Sequence, residues 1–207
     1  MRSLEDIMKS HSILEQFPGC ETLHTGTDKL VAHNYTVVYE ELFENRRNDA
    51  LNILEIGVAG GWSLKIWEEY FPNAMVYGVD IDEPNFDPEI GKSDRIDMRF
   101  FDGTDETLLH ENYEDNFFDI IIDDGSHLIN HQVLSAAFLW PKLRQGGIYI
   151  IEDTQNLRYD KYFSMYPNYK VFDCTSKEYV DKGNIEIGPG HTHNWVAWNS
   201  LLYTFRK

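Results

Sequence analysis

Two short runs in this 207-residue chain concentrate side chains capable of acid–base or metal chemistry. They are Asp123-Asp124-Gly125-Ser126-His127 and Glu152-Asp153. Each closes an apolar run of strand length, so neighbouring strands would bring four carboxylates to one spot. Carboxylates pressed together repel and shift each other's pKa unless a cation is shared. Oxygen-only ligands favour a hard ion such as Mg2+, which keeps some waters or takes substrate oxygens. The plainer alternative is that Asp123 and Asp153 cap the helices that follow, with the other acids solvated.

A second group reads as a ligand cradle. Glu55-Ile56-Gly57-Val58-Ala59-Gly60-Gly61-Trp62-Ser63 follows the first apolar run, and glycines there permit a sharp turn and a close approach to the main chain. The dinucleotide fingerprint needs glycines at relative positions 1, 3 and 6. Ala59 and Trp62 hold the latter two, which favours a nucleoside without a diphosphate. Asp80 ends the next apolar run, where a carboxylate can accept both ribose hydroxyl protons. Asp102 ends the third, within reach of an adenine amino group. Any one of these acids could instead be a helix N-cap; three in this order point to an adenosine ligand.

The elements that position these groups follow from periodicity. LNILEIG (51–57), AMVYGVD (74–80), RIDMRFF (95–101), FFDIIID (117–123) and GIYIIE (147–152) read as strands. SLKIWEEYF (63–71), ETLLHENY (106–113) and HQVLSAAFLWPKL (131–143) read as the intervening helices. Strands apolar on both faces and alternating with helices predict a doubly wound α/β sheet. KVFDCTS (170–176) and NSLLYTFRK (199–207) are expected to close it as an antiparallel pair. Before residue 48, SLEDIMKSHSILEQF and HNYTVVYEELFENRR read as helices around a polar turn.

This order resembles class I S-adenosylmethionine-dependent methyltransferases. The pieces Thr27-Asp28-Lys29, His33-Asn34-Tyr35, Tyr39-Glu40, Leu54-Glu55-Ile56-Gly57 and Tyr77-Gly78-Val79-Asp80 narrow the likeness, as do Ile122 to His127 and Ile151-Glu152-Asp153. They are similar to the macrocin/mycinamicin sugar O-methyltransferase group, with aminocoumarin-sugar enzymes as relatives. D-D-G-S-H followed by E-D is the specific part, because generic methyltransferases lack it. The likeness runs from about Thr27 to Asp153 and implies a Rossmann-like, mostly parallel seven-stranded sheet with helices on both faces. Residues 1–48 are then an N-terminal helical extension or lid, and 49–207 the S-adenosylmethionine-binding domain.

The resemblance also implies roles. Asp124, Glu152 and Asp153 hold Mg2+ and His127 is the base, a task that suits a side chain with an ordinary pKa of about 6.5. Glu55, Gly57, Gly60, Gly61, Asp80, Asp102 and Asp123 form the cofactor set. His33, Tyr35 and His131 are weaker candidates for substrate contact, a packed role being the alternative for the first two. Trp195 and Trp198 could stack on a sugar ring or serve the core. The implied reaction moves a methyl group to a sugar hydroxyl of a glycan or glycosylated small molecule. The competing readings are an NAD-linked oxidoreductase or epimerase, a catechol-type methyltransferase, and a non-catalytic binding module. The broken glycine fingerprint speaks against the first.

Composition narrows the partners. With 18 Lys+Arg against 35 Asp+Glu the formal net charge is −17, and the densest basic cluster is Arg46-Arg47. A nucleic-acid binder needs a basic stripe against phosphates, so nucleic acid and anionic membrane are not expected partners. Homo-oligomerisation is left open. The opening MRSLEDIMKSHSILEQF carries acids where a signal peptide needs a basic-then-apolar run, and no stretch reaches the roughly 18 apolar residues of a membrane span. A cytoplasmic chain with Cys20 and Cys174 as free thiols is the expectation.

Overall fold

Strand β4 (Phe118–Asp123) is buried along all six residues, as FDIIID requires of a strand covered on both faces. The computed structural model describes residues 2–11, 27, 29, 33–154, 159–175, 185–188, 191–193 and 201–207, the runs 185–188 and 191–193 as backbone only. β4 lies parallel between β1 (Asn52–Ile56) and β5 (Leu143–Thr154). β1 pairs in parallel with β2 (Met75–Asp80), and β2 with β3 (Ile96–Phe100). β9 (Leu201–Arg206) runs antiparallel to both β5 and β6 (Lys170–Asp173). The sheet order is β3-β2-β1-β4-β5-β9-β6, the seven-stranded, mostly parallel arrangement expected. β7 (Ile185–Gly188) and β8 (His191–His193) form a separate two-stranded ribbon.

Helices cover both faces. α1 (Leu4–His11), α2 (Tyr35–Phe43) and α3 (Trp62–Tyr70) bury Ile7, Tyr39, Phe43 and Trp67 in one cluster with Ile53, Ile122 and Ile150. α4 (Glu106–Asn112), α5 (Ile129–Leu139) and α6 (Asp160–Phe163) bury Leu109, Leu139 and Phe163 with Leu54, Ile121 and Ile151 on the other face. Asp105 caps α4 by accepting from the Leu108 amide at 3.0 Å, which fixes the helix start.

Several boundaries differ from expectation, among them that of α2, which runs Tyr35–Phe43 within the helix expected over 33–47. The helix expected over 131–143 runs Ile129–Leu139, because Pro141 offers no amide to continue it. The fifth strand begins at Leu143, and its pairing with β4 shifts register between Phe118 and Ile120. Of the first expected helix, Leu4–His11 is helical and residues 12–17 lie outside the described residues. Strand order reverses between β1 and β4, where open α/β sheets place their ligand crevice.

Candidate active site

Alternation along the strands sorts the acids. Ile53, Ile122 and Ile150 face the α2 side, so Glu55 and Glu152, two residues beyond Ile53 and Ile150, return to it. Asp124, whose amide extends the ladder to Ile56 O at 2.9 Å, joins them. Asp123 turns to the opposite face, near the Tyr149 hydroxyl. Consecutive acids in one run thus serve two different sites.

Asp153 breaks the alternation. It should point away from Glu152, yet β5 carries an extra residue against β9: Ile151 pairs with Tyr203 and Thr154 with Leu201. Such a bulge re-aims a side chain, and Asp153 takes the left-handed φ of +53°. Tyr35 holds the turn. Its hydroxyl donates to Asp153 Oδ1 at 2.5 Å and accepts from the Asp153 amide at 3.1 Å. His33 lies with Nε2 3.4 Å from the same oxygen, its ring stacked on Tyr35.

A cation already sits among the inner acids. Lys29 Nζ is 2.7 Å from Asp124 Oδ2, 2.8 Å from Glu152 Oε2 and 3.2 Å from Glu55 Oε1. Burial works against its charge, but the carboxylates outweigh burial and hold the ammonium well above its ordinary pKa. Asp124 is partly buried, yet Lys29 and His127 keep its carboxyl below the usual range. Glu152 goes the other way: desolvation pushes it well up, against the pull of Lys29. Its Oε1 accepts from Tyr39, and its carbonyl from Gln132 Nε2 at 3.1 Å. Glu55 also accepts from Trp67 Nε1 at 2.8 Å.

His127 closes the outer side. With φ +57°, it puts Nε2 3.3 Å from Asp124 Oδ1 and 3.5 Å from Asp153 Oδ2, and a third of its side chain is exposed. Ligand atoms of Asp124, His127 and Asp153 lie within 4.8 Å of one another, as do those of Glu55, Asp124 and Glu152. The helix-capping alternative fails for both acids. α5 has Leu128 at its N-cap without a side-chain bond, and α6 has Tyr159.

On the opposite face of the strand ends lies a cavity of about 240 Å³, lined by Gly57, Asp80, Asp102, Asp123, Ser126 and His131 among others. Desolvation pushes Asp123 up to about 6. The Thr104 amide and hydroxyl hold the Asp102 carboxyl below its ordinary value. Asp80 does more than face the cavity. Its Oδ2 accepts from the Val58 and Ala59 amides at 2.8 and 2.9 Å, and Oδ1 from Asp82 at 2.9 Å. His131, expected as a substrate contact, lines this cavity instead and bonds Ser126 Oγ through Nδ1 at 2.8 Å.

Several expected contacts lie elsewhere. Glu55 is fully buried in the Lys29 cluster and does not line the cavity. Gly60 and Gly61 do not line it either: the Gly60 carbonyl accepts from the Asp87 amide, and the side of Gly61 is filled by Phe86. Gly57 is a glycine for a reason other than ligand approach. A Cβ there would stand 2.2 Å from the Asp124 carbonyl oxygen. His33 and Tyr35 are buried supports of Asp153 rather than cavity walls. Trp195 and Trp198 lie outside the described residues, as does Cys20; Cys174 is a buried free thiol. Sequence reasoning assigned no role to Lys29 or Tyr39. The signal was there, in the demand of clustered carboxylates for a cation and in the T-D-K and Y-E pieces.

No family model matches the chain. It is 38% identical over 141 residues to 8-demethyl-8-alpha-L-rhamnosyl tetracenomycin-C 2'-O-methyltransferase of Streptomyces olivaceus, covering 64% of this chain and 36% of that protein. Mycinamicin VI 2''-O-methyltransferase of Micromonospora griseorubida is 37% identical over 58% of this chain and 31% of its own length. Demethylmacrocin O-methyltransferase of Streptomyces fradiae gives the same 37%, over 58% and 32%. The chain spans about a third of the length of these curated relatives. A mycinamycin-pathway methyltransferase solved with Mg, SAH and mycinamycin VI superposes with a TM-score of 0.62 at 24% identity, covering 99% of this chain and 53% of that one. A geranyl diphosphate methyltransferase solved with SAM gives 0.57 at 14% identity, over 83% and 84%. In sequence the chain is related to the macrocin/mycinamicin group of sugar O-methyltransferases, and its fold is the Rossmann-like fold of class I methyltransferases.

Proposed function

We propose that the chain transfers a methyl group from S-adenosylmethionine to a sugar hydroxyl of a glycosylated small molecule, with a divalent ion at the acidic pocket. One observation carries this reading: His127 Nε2 bridges Asp124 and Asp153 at the strand ends, beside a cavity that presents Asp80 and Asp102. The two outer carboxylates suit a hard ion: ligand atoms of Asp124 and Asp153 lie within 4.8 Å of one another and of a His127 ring nitrogen, a spacing one ion can span, whereas the all-carboxylate group Glu55, Asp124 and Glu152 is the one around Lys29. Asp124 and Asp153 face the outer side, whereas Glu152 contributes only through lone pairs left by Tyr39 and Lys29. Such an ion, when bound, supplies Lewis acidity that makes a hydroxyl proton easier to remove.

The chain's own residues do the rest. Asp80 and Asp102 hold the nucleoside by ribose and adenine. The acceptor oxygen forms its bond to the methyl carbon as the carbon–sulfur bond breaks, and S-adenosylhomocysteine leaves uncharged. His127 Nε2 takes the hydroxyl proton, in the manner of a general base. Residues 1–48 serve as the cover of the site, with α2 supplying Tyr35 and Tyr39 as its fastening. The acceptor class rests on the names of the relatives. The NAD-linked alternative draws no support from relatives and structures that are methyltransferases. A nucleic-acid or membrane partner suits the −17 charge poorly, and among the described residues no helix is long and apolar enough to cross a membrane. We take the cytoplasm as its place of work.

The test is a panel of rhamnosides and related glycosides incubated with S-adenosylmethionine and Mg2+, read by mass spectrometry. Methylated sugar that disappears in EDTA and returns with Mg2+ is expected. Methylation unaffected by EDTA, or tighter binding of NAD than of S-adenosylmethionine, would overturn the proposal.

A further inference from the structure

The inner and outer halves of the acidic pocket are built differently. In the inner half, oxygens of Glu55, Asp124 and Glu152 surround Lys29 Nζ at 2.7 to 3.2 Å. Those are ammonium hydrogen-bond distances; Mg2+ holds its oxygens at about 2.0–2.1 Å and Ca2+ at about 2.3–2.6 Å. The ammonium is tethered and cannot exchange, since Lys29 is only 1% exposed. Its backbone is fixed as well, because the Lys29 carbonyl accepts from the Tyr35 amide at the start of α2. In the outer half, Asp124 Oδ1 and Asp153 Oδ2 meet His127, which is partly open to solvent. Asp124 is the one acid shared by both halves, with one oxygen on each side.

We infer that Lys29 is a built-in cation that permanently fills the inner Glu55–Asp124–Glu152 cage and thereby confines an exchangeable divalent ion to the outer Asp124–Asp153 side. The inference rests on the proposed function only for the existence of the outer ion. Lys29 is a positioning residue: it touches neither cavity nor reacting atoms, but holds Asp124 Oδ2 and Glu152 so that Asp124 Oδ1 stays turned outward. It also removes one unit of negative charge from the field an outer ion meets. The consequence is an outer ion that can come and go.

Lys29→Met decides this without any assay of turnover. Removing one partner of a buried charge cluster strands the others, so melting in EDTA should fall by on the order of 10 °C. Mn2+ should then restore more stability than it adds to the wild type. Titration calorimetry and Mn2+ electron paramagnetic resonance should count a second ion, or one bound about tenfold or more tightly, since a nearby repelling charge is gone. Adding Glu55→Gln to Lys29→Met removes one stranded carboxylate and should recover much of the melting temperature in EDTA. A Lys29→Met protein that melts like the wild type in EDTA, or binds Mn2+ with wild-type number and affinity, overturns the inference. Should Lys29→Met fail to fold, rescue by Mn2+ or by Glu55→Gln supports it. Failure of both rescues shows that the lysine stem only packs, and sinks it. A wild type that binds no Mn2+ removes the outer ion of the proposed function; the Glu55→Gln comparison in EDTA still decides the role of Lys29.

Discussion

Asp80→Asn should unfasten the glycine turn as well as the ribose contact. The carboxylate accepts three backbone amides, two at Oδ2 and one at Oδ1, and the turn it holds includes Ala59 at φ +45°. Asparagine keeps a single oxygen. If that oxygen stays on Val58 and Ala59, the new amide group meets the Asp82 amide donor to donor; turned round, it meets two. The first arrangement costs least: one charge-assisted bond lost and two reduced to neutral strength. Neutral bonds contribute about 0.5–1.5 kcal/mol and charged ones about 1.5–3 kcal/mol. Because Asp80 is only half-buried, water offsets part of this, leaving roughly 2–3 kcal/mol. For a chain of this size that lowers Tm by roughly 4–12 °C. Scanning calorimetry without ligand reads the turn, and titration with S-adenosylhomocysteine reads the ribose contact, where affinity should fall about 10–100-fold. A residue that touched only ribose would lose affinity while melting as before. An unchanged ligand-free Tm refutes the argument.

Tyr35→Phe removes a donor to Asp153 Oδ1 and an acceptor for its amide; about 3 kcal/mol of stability should be lost in urea unfolding with an unchanged slope. His127→Ala should lower kcat by about 10²–10⁴, with calorimetry showing unaltered S-adenosylhomocysteine affinity. Gly57→Ala drives a Cβ into the Asp124 carbonyl and should abolish soluble folded protein, as circular dichroism would show. Burial pushes the Cys174 thiol up to about 12, so a maleimide at pH 8 should label it only in denaturant. Because the folded state holds that proton more tightly than the unfolded chain, Cys174 should lower stability as pH climbs from about 9 toward 12. Cys174→Ala should flatten that part of the alkaline stability curve.

Periodicity and turn residues made most of the sheet legible. FFDIIID could only be a strand buried on both faces, and ETLLHENY read as the short helix that α4 is, though its cap by Asp105 was seen only in the structure. The site was legible as a composition but not as an arrangement. Strand alternation assigns Glu152 and Asp153 to opposite faces; only the bulge against β9 and the left-handed Asp153 bring them together. Nothing in the I-E-D spelling encodes an extra residue relative to a strand some fifty positions later. The cation the acids demanded was sought outside the chain and is, in part, Lys29, which sits close to them only in space. His131 was expected as a substrate contact, yet it lines the cavity that presents Asp80 and Asp102, whereas His127 stands against Asp124 and Asp153.

The place of β9 has a consequence for synthesis. Among the described residues β9 is the only strand that β6 pairs with, and it covers the edge of β5 opposite β4. On the ribosome, residues 143–154 emerge well before residues 201–206. At about 5–20 residues per second, β5 waits roughly 2–10 s for its second neighbour. During that wait Ile148, Tyr149, Ile150 and Ile151 offer an open apolar edge, the kind of template that recruits another nascent chain. The same interval leaves Glu152 and Asp153 without the register shift that aims them, so the acidic pocket takes its shape only once residues 201–206 have been made.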